Sequence, residues 1–169
     1  MNKYTRRRNI QNTTNIFLQT PIMKKNKNKI LVTGGAGFIG SNFISYHINN
    51  TENSILNLDK MTYAGCQLSL ESFAKNPNYT FVKGDICNPN IINDLLNKYK
   101  PAAIVHLAAE SHVDRSIDSP DQFIKTNIVG TSILLQSALN YWIKNNKSNF
   151  KYLYPNEMPI LKKIEKSLK

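Results

Sequence analysis

The stretch Leu31–Gly40, LVTGGAGFIG, joins the end of an apolar run to the start of a segment with helical spacing. Its glycines fit G-x-G-x-x-G from Gly35, and they also fit G-x-x-G-x-x-G from Gly34 through Gly37. In either register one glycine permits a tight turn, one lets the backbone approach a pyrophosphate, and one lets the helix pack close to the strand. The helix start offers free N–H groups and a partial positive charge. The stretch therefore predicts a phosphate-binding turn between a strand and a helix.

Apolar runs and helical patterns alternate on both sides of this turn. The patterns predict strands over 29–33, 54–58, 79–83 and 102–107, with a fifth beginning within 150–154, and helices over 38–49, 67–74, 90–99 and 120–142. The last helix is expected to be broken only at Gly130. Such alternation predicts an α/β fold with a doubly wound parallel sheet of the Rossmann type. We expect the strand order 3-2-1-4-5, a switch point between strands 1 and 4, and an end after about the fifth strand.

The charge of the chain is concentrated at its ends. The formal net charge is +11, and residues 1–29 carry eight Lys or Arg and no acid, whereas residues 30–143 carry seven basic and nine acidic residues. Blocks of like charge usually stay solvated, so we expect no nucleic-acid or membrane partner. We predict a basic, disordered extension over 1–28, a dinucleotide-binding domain over 29–154, and a Lys-rich tail over 155–169. Met23, just before the first strand, is a second candidate for the start of the protein.

Cysteine and histidine spacings exclude several classes of site. Cys66 and Cys87 form no C-x-x-C motif, and the three histidines form no metal-ligand spacing. No apolar run reaches the length of about 18 residues that a membrane span requires. We therefore expect a reduced, cytoplasmic protein with no bound metal.

Two acidic residues follow predicted strands. Asp59 ends the second strand, 19 residues after Gly40, where its carboxylate can accept hydrogen bonds from the adenosine ribose hydroxyls. It would repel a 2′-phosphate, which favours NAD over NADP, although the adjacent Lys60 weakens that preference. The alternative for Asp59 is a helix cap or turn residue. Asp85 follows the third strand and could reach the adenine, or it could cap the next helix.

The segment after the fourth strand, Leu107–Arg115, should face the same crevice. The small side chains of Ala108 and Ala109 would let a dinucleotide lie close across the switch point. Ser111 and His112 are candidates for ligand contact, whereas Glu110 and Asp114 could instead be turn or capping groups.

Together these stretches resemble a known superfamily. TGGAGFIGSNF (33–43), LDKMTYAG (58–65), GDI (84–86), HLAAESHVDRSI (106–117) and TNIVGT (126–131) are similar to the extended short-chain dehydrogenase/reductases, and more narrowly to the dTDP-glucose 4,6-dehydratase family. The resemblance covers about residues 29–149. The glycine loop is shared with epimerases and many relatives, whereas DKMTYAG and AAESHVDRSI are more specific.

The resemblance implies a cofactor, a reaction and a set of contacts. With NAD, hydride leaves C4 of the glucosyl group of dTDP-glucose, water is lost across C5 and C6, and hydride returns to C6. The implied cofactor residues are Gly34, Gly37, Phe38, Ile39 and Gly40 by the pyrophosphate; Asp59, Lys60, Met61 and Thr62 at the ribose; Asp85 and Ile86 at the adenine; and Leu107, Ala108, Ala109, Glu110 and Ser111 toward the nicotinamide. Thr126 is also implied to contact the cofactor. Ser111 is also implied to contact substrate.

The chain departs from the family after residue 150. The family places a Thr-Asp-Glu run after strand 5 and a Tyr-x-x-x-Lys pair on the next helix, and these supply its acid and base groups. This sequence reads Tyr154-Pro-Asn-Glu-Met158 there, and Glu157 is a lone acid. Tyr79 and Lys83 have the spacing, but on a strand four residues span roughly 13 Å. We therefore identify no catalytic residue, and the change near residue 150 suggests a truncated or frameshifted reading frame.

Several interpretations remain at this stage. The chain could be a dTDP-glucose 4,6-dehydratase by lineage, an inactive NAD-binding fragment, or another nucleotide-sugar epimerase or dehydratase of the superfamily. The chain could also be a basic module that binds nucleic acid through its two tails, but nothing in the sequence between the tails favours this interpretation. The family is homodimeric and packs two helices from each subunit, of which only the first, over 121–141, is expected here.

Overall fold

A computed structural model of the protein describes residues 27–111, 120–146 and 149–154. In this part of the chain strands and helices alternate, as the sequence predicts. The strands are β1 (Lys29–Thr33), β2 (Ser54–Asp59), β3 (Tyr79–Lys83), β4 (Ala103–His106) and β5 (Lys151–Leu153). The helices are α1 (Phe38–Asn50), α2 (Leu68–Glu71), α3 (Pro89–Tyr99), α4 (Pro120–Phe123), a π-helical segment (Ile124–Gly130) and α5 (Thr131–Lys144).

The five strands form one parallel sheet in the order β3-β2-β1-β4-β5. This confirms the predicted strand order and places the switch point between β1 and β4. The predicted bounds of β1 and β3 are correct, whereas β2 extends one residue further, to Asp59, and β4 is shorter than expected.

Apolar side chains from both faces of the sheet enter separate cores. Alternate residues of β1 and β2 point to opposite faces, so nearly continuous apolar strands can be buried on both sides. One core joins the sheet to α3 and α5 through Leu31, Leu56, Ile92, Leu96 and Leu134. The other joins it to α1 and α2 through Val32, Ile44, Ile55, Leu70 and Phe73. The sheet is therefore doubly wound, as predicted.

The first turn of α1 is exposed, although its apolar residues belong to the spacing that predicts the helix. The side chains of Phe38 and Ile39 are 86% and 67% exposed. Ile44 is fully buried, and Phe43 and Ile48 pack against the core. Because α1 begins beyond the carboxyl end of β1, its first turn lies past the edge of the sheet.

Two helical predictions were inaccurate. The short helix predicted over 67–74 is limited to α2, and the helix predicted to break at Gly130 continues through it. A Cβ at Gly130 would lie 2.8 Å from Ile86 Cδ1, so glycine lets the helix approach Ile86 closely. The irregularity is instead a π-helical widening over Ile124–Gly130, a feature often found at functional sites.

The described residues were compared with two other kinds of protein, those that span a membrane and those that bind a metal ion. Within the described ranges, no helix has the length and apolar character needed to cross a membrane. The described parts also contain no cluster of three or more His, Cys, Asp or Glu side chains that could hold a metal ion.

A buried histidine links β4 to both neighbouring elements. His106 is fully buried and shares hydrogen bonds with the Thr33 hydroxyl, 2.6 Å from Nδ1, and with the Thr131 hydroxyl, 3.0 Å from Nε2. Because burial disfavours the imidazolium, the pKa of His106 falls from 6.5 to about 4. The neutral ring therefore holds β1, β4 and the start of α5 together.

We predict that this histidine makes the folded chain sensitive to acid. Its pKa is lower in the folded than in the unfolded state, so the unfolded state binds the proton first as pH falls below about 6.5. Stability is then lost down to about pH 4, where the folded state also takes up the proton. Between pH 7 and pH 5 the loss should be about 2 kcal/mol in the free energy of unfolding. Urea denaturation at several pH values measures it.

The matched comparison uses two histidine variants. His106→Asn keeps a polar side chain but removes the titrating group, so its stability should depend less steeply on pH over this range. His47→Gln changes a half-buried histidine of α1 whose pKa burial also lowers, and it should retain the larger loss caused by the more deeply buried His106. An equally steep pH dependence in wild type and His106→Asn would contradict the assignment.

Candidate functional site

A cleft lies at the carboxyl ends of the strands, across the switch point between β1 and β4. This is where open α/β sheets bind their ligands. The cleft is bordered by the glycine turn and by the segments that follow β2, β3 and β4. Its lining residues are Gly34, Gly37, Leu58, Asp59, Lys60, Thr62, Ala64, Gly65, Gly84, Asp85, Ile86, Leu107, Ala108, Ala109, Glu110 and Thr126.

Two glycines let the turn after β1 pack tightly. Gly34 has φ +74°, and a Cβ there would collide with the backbone of Ala108. A Cβ at Gly40 would collide with the Gly34 carbonyl oxygen. Gly34 is therefore the glycine of the tight turn, and Gly40 is the one that brings α1 close to it.

Gly37 has a different environment. It precedes α1 with φ −73°, which suits any residue, and a Cβ there would meet only the Gly34 carbonyl oxygen, at 3.4 Å. Among the residues that the structure describes, no side chain caps the start of α1. The N–H groups of the first helical turn have no acceptor within the helix, so this end of α1 can receive an anionic group.

Two polar residues of β2 hold the glycine turn through hydrogen bonds to its backbone. Asn57 is fully buried, accepts a hydrogen bond from the Gly35 N–H (3.1 Å) and donates to the Tyr79 hydroxyl (3.0 Å). Asp59 Oδ2 accepts from the Ala36 N–H (2.8 Å). Sequence reasoning missed Asn57, although an amide inside the apolar strand SILNLD was a signal for a buried polar contact.

Asp59 also shapes the segment that follows it. Its Oδ1 accepts a 2.7 Å hydrogen bond from the N–H of Met61, which has φ +57°, in the left-handed region. The Met61 side chain packs against the apolar core on the α1 side and does not line the cleft. Asp59 is thus a turn residue, as the alternative interpretation held, and it also lines the cleft.

Lys60 and Asp85 form an ion pair at the adenine end predicted for the cleft. Lys60 Nζ lies 2.8 Å from Asp85 Oδ2. Partial burial alone would raise the pKa of Asp85, but hydrogen bonds from Lys60 and Cys87 outweigh it and lower that pKa. The hydrogen bond to Asp85 raises the pKa of Lys60. The alternative role for Asp85 as a helix cap is wrong, because Asn88 caps α3 through the N–H groups of Asn90 and Ile91.

The segment after β4 is held by a clamp that sequence reasoning missed. Asn127 accepts a hydrogen bond from the Glu110 N–H and donates one to the Glu110 carbonyl, both at 2.8 Å. The Tyr63 hydroxyl donates to Glu110 Oε2 at 3.1 Å. Asn127 lies in the π-helical segment beside Thr126, which lines the cleft. Both residues belong to the stretch TNIVGT (126–131), whose resemblance to the family was the signal for a role of Asn127 at the site.

The structure brings most of the predicted cofactor residues to one cleft. The exceptions are Phe38, Ile39 and Gly40, which lie in the first turn of α1, Met61, and the exposed Ser111. His112, Asp114 and Glu157 lie outside the described residues. Tyr79 and Lys83 both lie on β3, and this confirms that they are not a helical Tyr-x-x-x-Lys pair.

Comparison with known proteins agrees with this geometry. A family model described as GDP-mannose 4,6 dehydratase matches residues 31–153. A dTDP-glucose 4,6-dehydratase of Haemophilus influenzae is 56% identical over 113 residues, which are 67% of this chain and 33% of that protein. The chain therefore spans about a third of the length of the curated relatives it matches.

Solved structures lead to the same group of enzymes. A dTDP-glucose 4,6-dehydratase from Streptomyces venezuelae with NAD bound superimposes with a TM-score of 0.64 at 42% identity, covering 67% of this chain and 36% of that one. A dTDP-glucose 4,6-dehydratase from Bacillus anthracis in complex with NAD has a TM-score of 0.61 at 39% identity, covering 68% of this chain and 34% of that one. The chain belongs to the GDP-mannose 4,6 dehydratase family, and it is similar to the dTDP-glucose 4,6-dehydratases named above.

Proposed function

We propose that this chain binds NAD in the cleft at the switch point and forms the dinucleotide-binding part of a dTDP-glucose 4,6-dehydratase. The observation that carries the proposal is the combination of an uncapped α1 with the open face of Gly37 beside it. Two similar structures, from Streptomyces venezuelae and Bacillus anthracis, hold NAD.

The cleft residues suit each part of the dinucleotide. Backbone N–H groups of Phe38 and Ile39 would hold the pyrophosphate at the positive end of α1, since the Gly37 N–H already donates to the Gly34 carbonyl. Asp59 would accept from the adenosine ribose hydroxyls, because each carboxylate oxygen that already receives one backbone N–H can accept a second hydrogen bond. Met61 and Thr62 complete the turn at the ribose.

The adenine and nicotinamide ends of the dinucleotide would lie on opposite sides of the glycine turn, toward β3 and β4 respectively. Ile86, Asp85 and Lys60 would border the adenine on the β3 side. On the β4 side the nicotinamide would lie along Leu107, Ala108, Ala109, Glu110 and Ser111, with Thr126 opposite. When bound, NAD supplies hydride acceptance and return, and the clamp of Asn127 on Glu110 would fix the backbone that faces it.

Chemistry beyond the hydride steps requires further groups. The Thr-Asp-Glu run and the helical Tyr-x-x-x-Lys pair of the family do not occur in the 169-residue sequence. The proposal therefore assigns dTDP-glucose to the whole enzyme, with Ser111 as this chain's contact to the substrate. It assigns no catalytic residue here.

We also propose how the chain is divided into segments and how it forms a dimer. Residues 29–154 form the dinucleotide-binding domain, flanked by the basic segment 1–28 and the tail 155–169, in a cytoplasmic protein. We propose a homodimer contact on the helix that begins at Pro120. Its support is the apolar surface of Ile124, Ile128 and Ile143, which are 51%, 63% and 65% exposed.

We expect Gly37→Val to abolish most NAD⁺ binding and leave the fold intact. A Cβ at this position would meet the Gly34 carbonyl oxygen at 3.4 Å, and the valine side chain would occupy the space where the pyrophosphate meets the start of α1. NAD⁺ affinity should fall at least about tenfold, while the free energy of unfolding should fall by only about 1 kcal/mol. Isothermal titration calorimetry and urea denaturation measure the two effects.

The matched control for Gly37→Val is Asn49→Val, an exposed position in the last turn of the same helix. It lies about 18 Å along the helix axis from Gly37 and should leave NAD⁺ affinity unchanged. Equal affinities for NAD⁺ in wild type and Gly37→Val would place the cofactor elsewhere.

We expect the purified chain to bind NAD⁺ without dehydrating dTDP-glucose. Without the family's acid and base groups, the proton at C5 and the hydroxyl at C6 have no assigned partner. Mass spectrometry after incubation with NAD⁺ and dTDP-glucose should detect no product lighter by one water. Such a product would mean that groups not identified above perform the acid–base chemistry.

A further inference from the structure

Two opposite charges stand side by side at the end of β2, where the proposed function places the adenosine ribose. The Asp59 carboxylate disfavours a 2′-phosphate at that point, whereas the Lys60 ammonium would favour one. The sequence alone therefore does not decide between NAD⁺ and NADP⁺, because Asp59 favours NAD⁺ and its neighbour Lys60 favours NADP⁺. The inference below rests on the proposed NAD site and concerns how this conflict is resolved.

Of these two charges, Lys60 forms an ion pair with another residue of the cleft lining, whereas Asp59 receives backbone N–H groups. Lys60 Nζ lies 2.8 Å from Asp85 Oδ2, and the two side chains are 46% and 27% exposed. Asp85 is itself fixed, because its Oδ1 accepts a 2.9 Å hydrogen bond from the Cys87 N–H. The carboxylate is thus anchored to the β3 side, and Lys60 is drawn toward it.

Strand register explains why the two residues can meet. β2 and β3 are parallel neighbours, with Asp59 opposite Lys83, so the residues that follow each strand emerge at the same edge. Asp59, by contrast, binds the Ala36 and Met61 N–H groups of the β1 and β2 segments. The Lys60 charge is directed away from β1, and the Asp59 charge is held close to it.

We infer that Asp85 determines cofactor specificity by positioning Lys60. The ion pair holds the ammonium on the β3 side of the cleft and neutralises it there. The Asp59 carboxylate is then the charge that meets the ribose, and the one cation among the described lining residues, Lys60, is already paired and offsets a 2′-phosphate less. Asp85 therefore maintains the preference for NAD⁺ over NADP⁺ that Lys60 would otherwise weaken.

The test substitutes Asp85→Asn in the full chain and measures dissociation constants for NAD⁺ and NADP⁺ by calorimetry at low ionic strength. Asparagine keeps an oxygen to accept from the Cys87 N–H but removes the charge that holds Lys60. The ratio of the two affinities should shift toward NADP⁺ by roughly two- to fivefold, the range expected for one partly exposed charge pair. Because both dinucleotides carry the same adenine, any lost adenine contact cancels in the ratio.

Two further variants isolate the ion pair. Asp94→Asn makes the same change in net charge at an exposed position on α3, outside the cleft lining, and should leave the ratio unchanged. The double variant Lys60→Gln with Asp85→Asn should lose the shift toward NADP⁺, because the freed cation is gone. Should Asp85→Asn fail to fold, Asp85→Ser offers the Cys87 N–H another oxygen and should give the same shift.

The outcomes separate this inference from the proposed function. NAD⁺ binding by wild type with an unchanged ratio in Asp85→Asn would overturn the role of Asp85 and leave the proposed site intact. A shift that persists in the double variant would also overturn it, because Lys60 would then not be involved. Absence of NAD⁺ binding by folded wild-type chain would overturn the proposed function and this inference together.

Discussion

The site depends on the close approach of the turn after β1 to the backbone that follows β4. Gly34 lies so near Ala108 that no side chain fits between them, and Gly40 brings α1 against the same turn. This packing closes the switch point on one side and places Gly37, just before α1, in the lining of the cleft. Asn57 and Asp59 then hold the turn from β2 through hydrogen bonds to Gly35 and Ala36. Since an unpaired buried amide or carboxylate is costly, these contacts also favour a single conformation of the turn.

Buried polar groups connect the sheet to the site on its β4 side as well. His106 links Thr33 to Thr131, at the end of the π-helical segment that carries Thr126 and Asn127. Asn127 in turn holds the peptide of Glu110. Protonation of His106 would therefore disturb both the stability of the sheet and the elements that border the nicotinamide end proposed for the cleft.

Strand order and the glycine turn were predictable from the sequence because both follow from local patterns. Alternating apolar runs and helices, with glycines at fixed spacing between β1 and α1, constrain the topology strongly. The exposure of Phe38 and Ile39 was not predictable from spacing, because it depends on where α1 begins relative to the sheet edge. Likewise, the contacts of Asn57 and Asn127, and the pairing of Lys60 with Asp85, join residues brought together only by folding. Most of the cleft could thus be predicted, whereas the contacts that hold its residues in place could not.

The central claim is that NAD occupies this cleft with its pyrophosphate at the start of α1. The most direct measurement is a titration of the ¹⁵N-labelled chain with NAD⁺, following backbone amide resonances by nuclear magnetic resonance. The account predicts saturable shifts at Gly37, Phe38 and Ile39, accompanied by shifts at Lys60 and Ala109 on either side of the turn. Shifts confined to residues remote from the cleft, or no shifts in the folded chain, would contradict it.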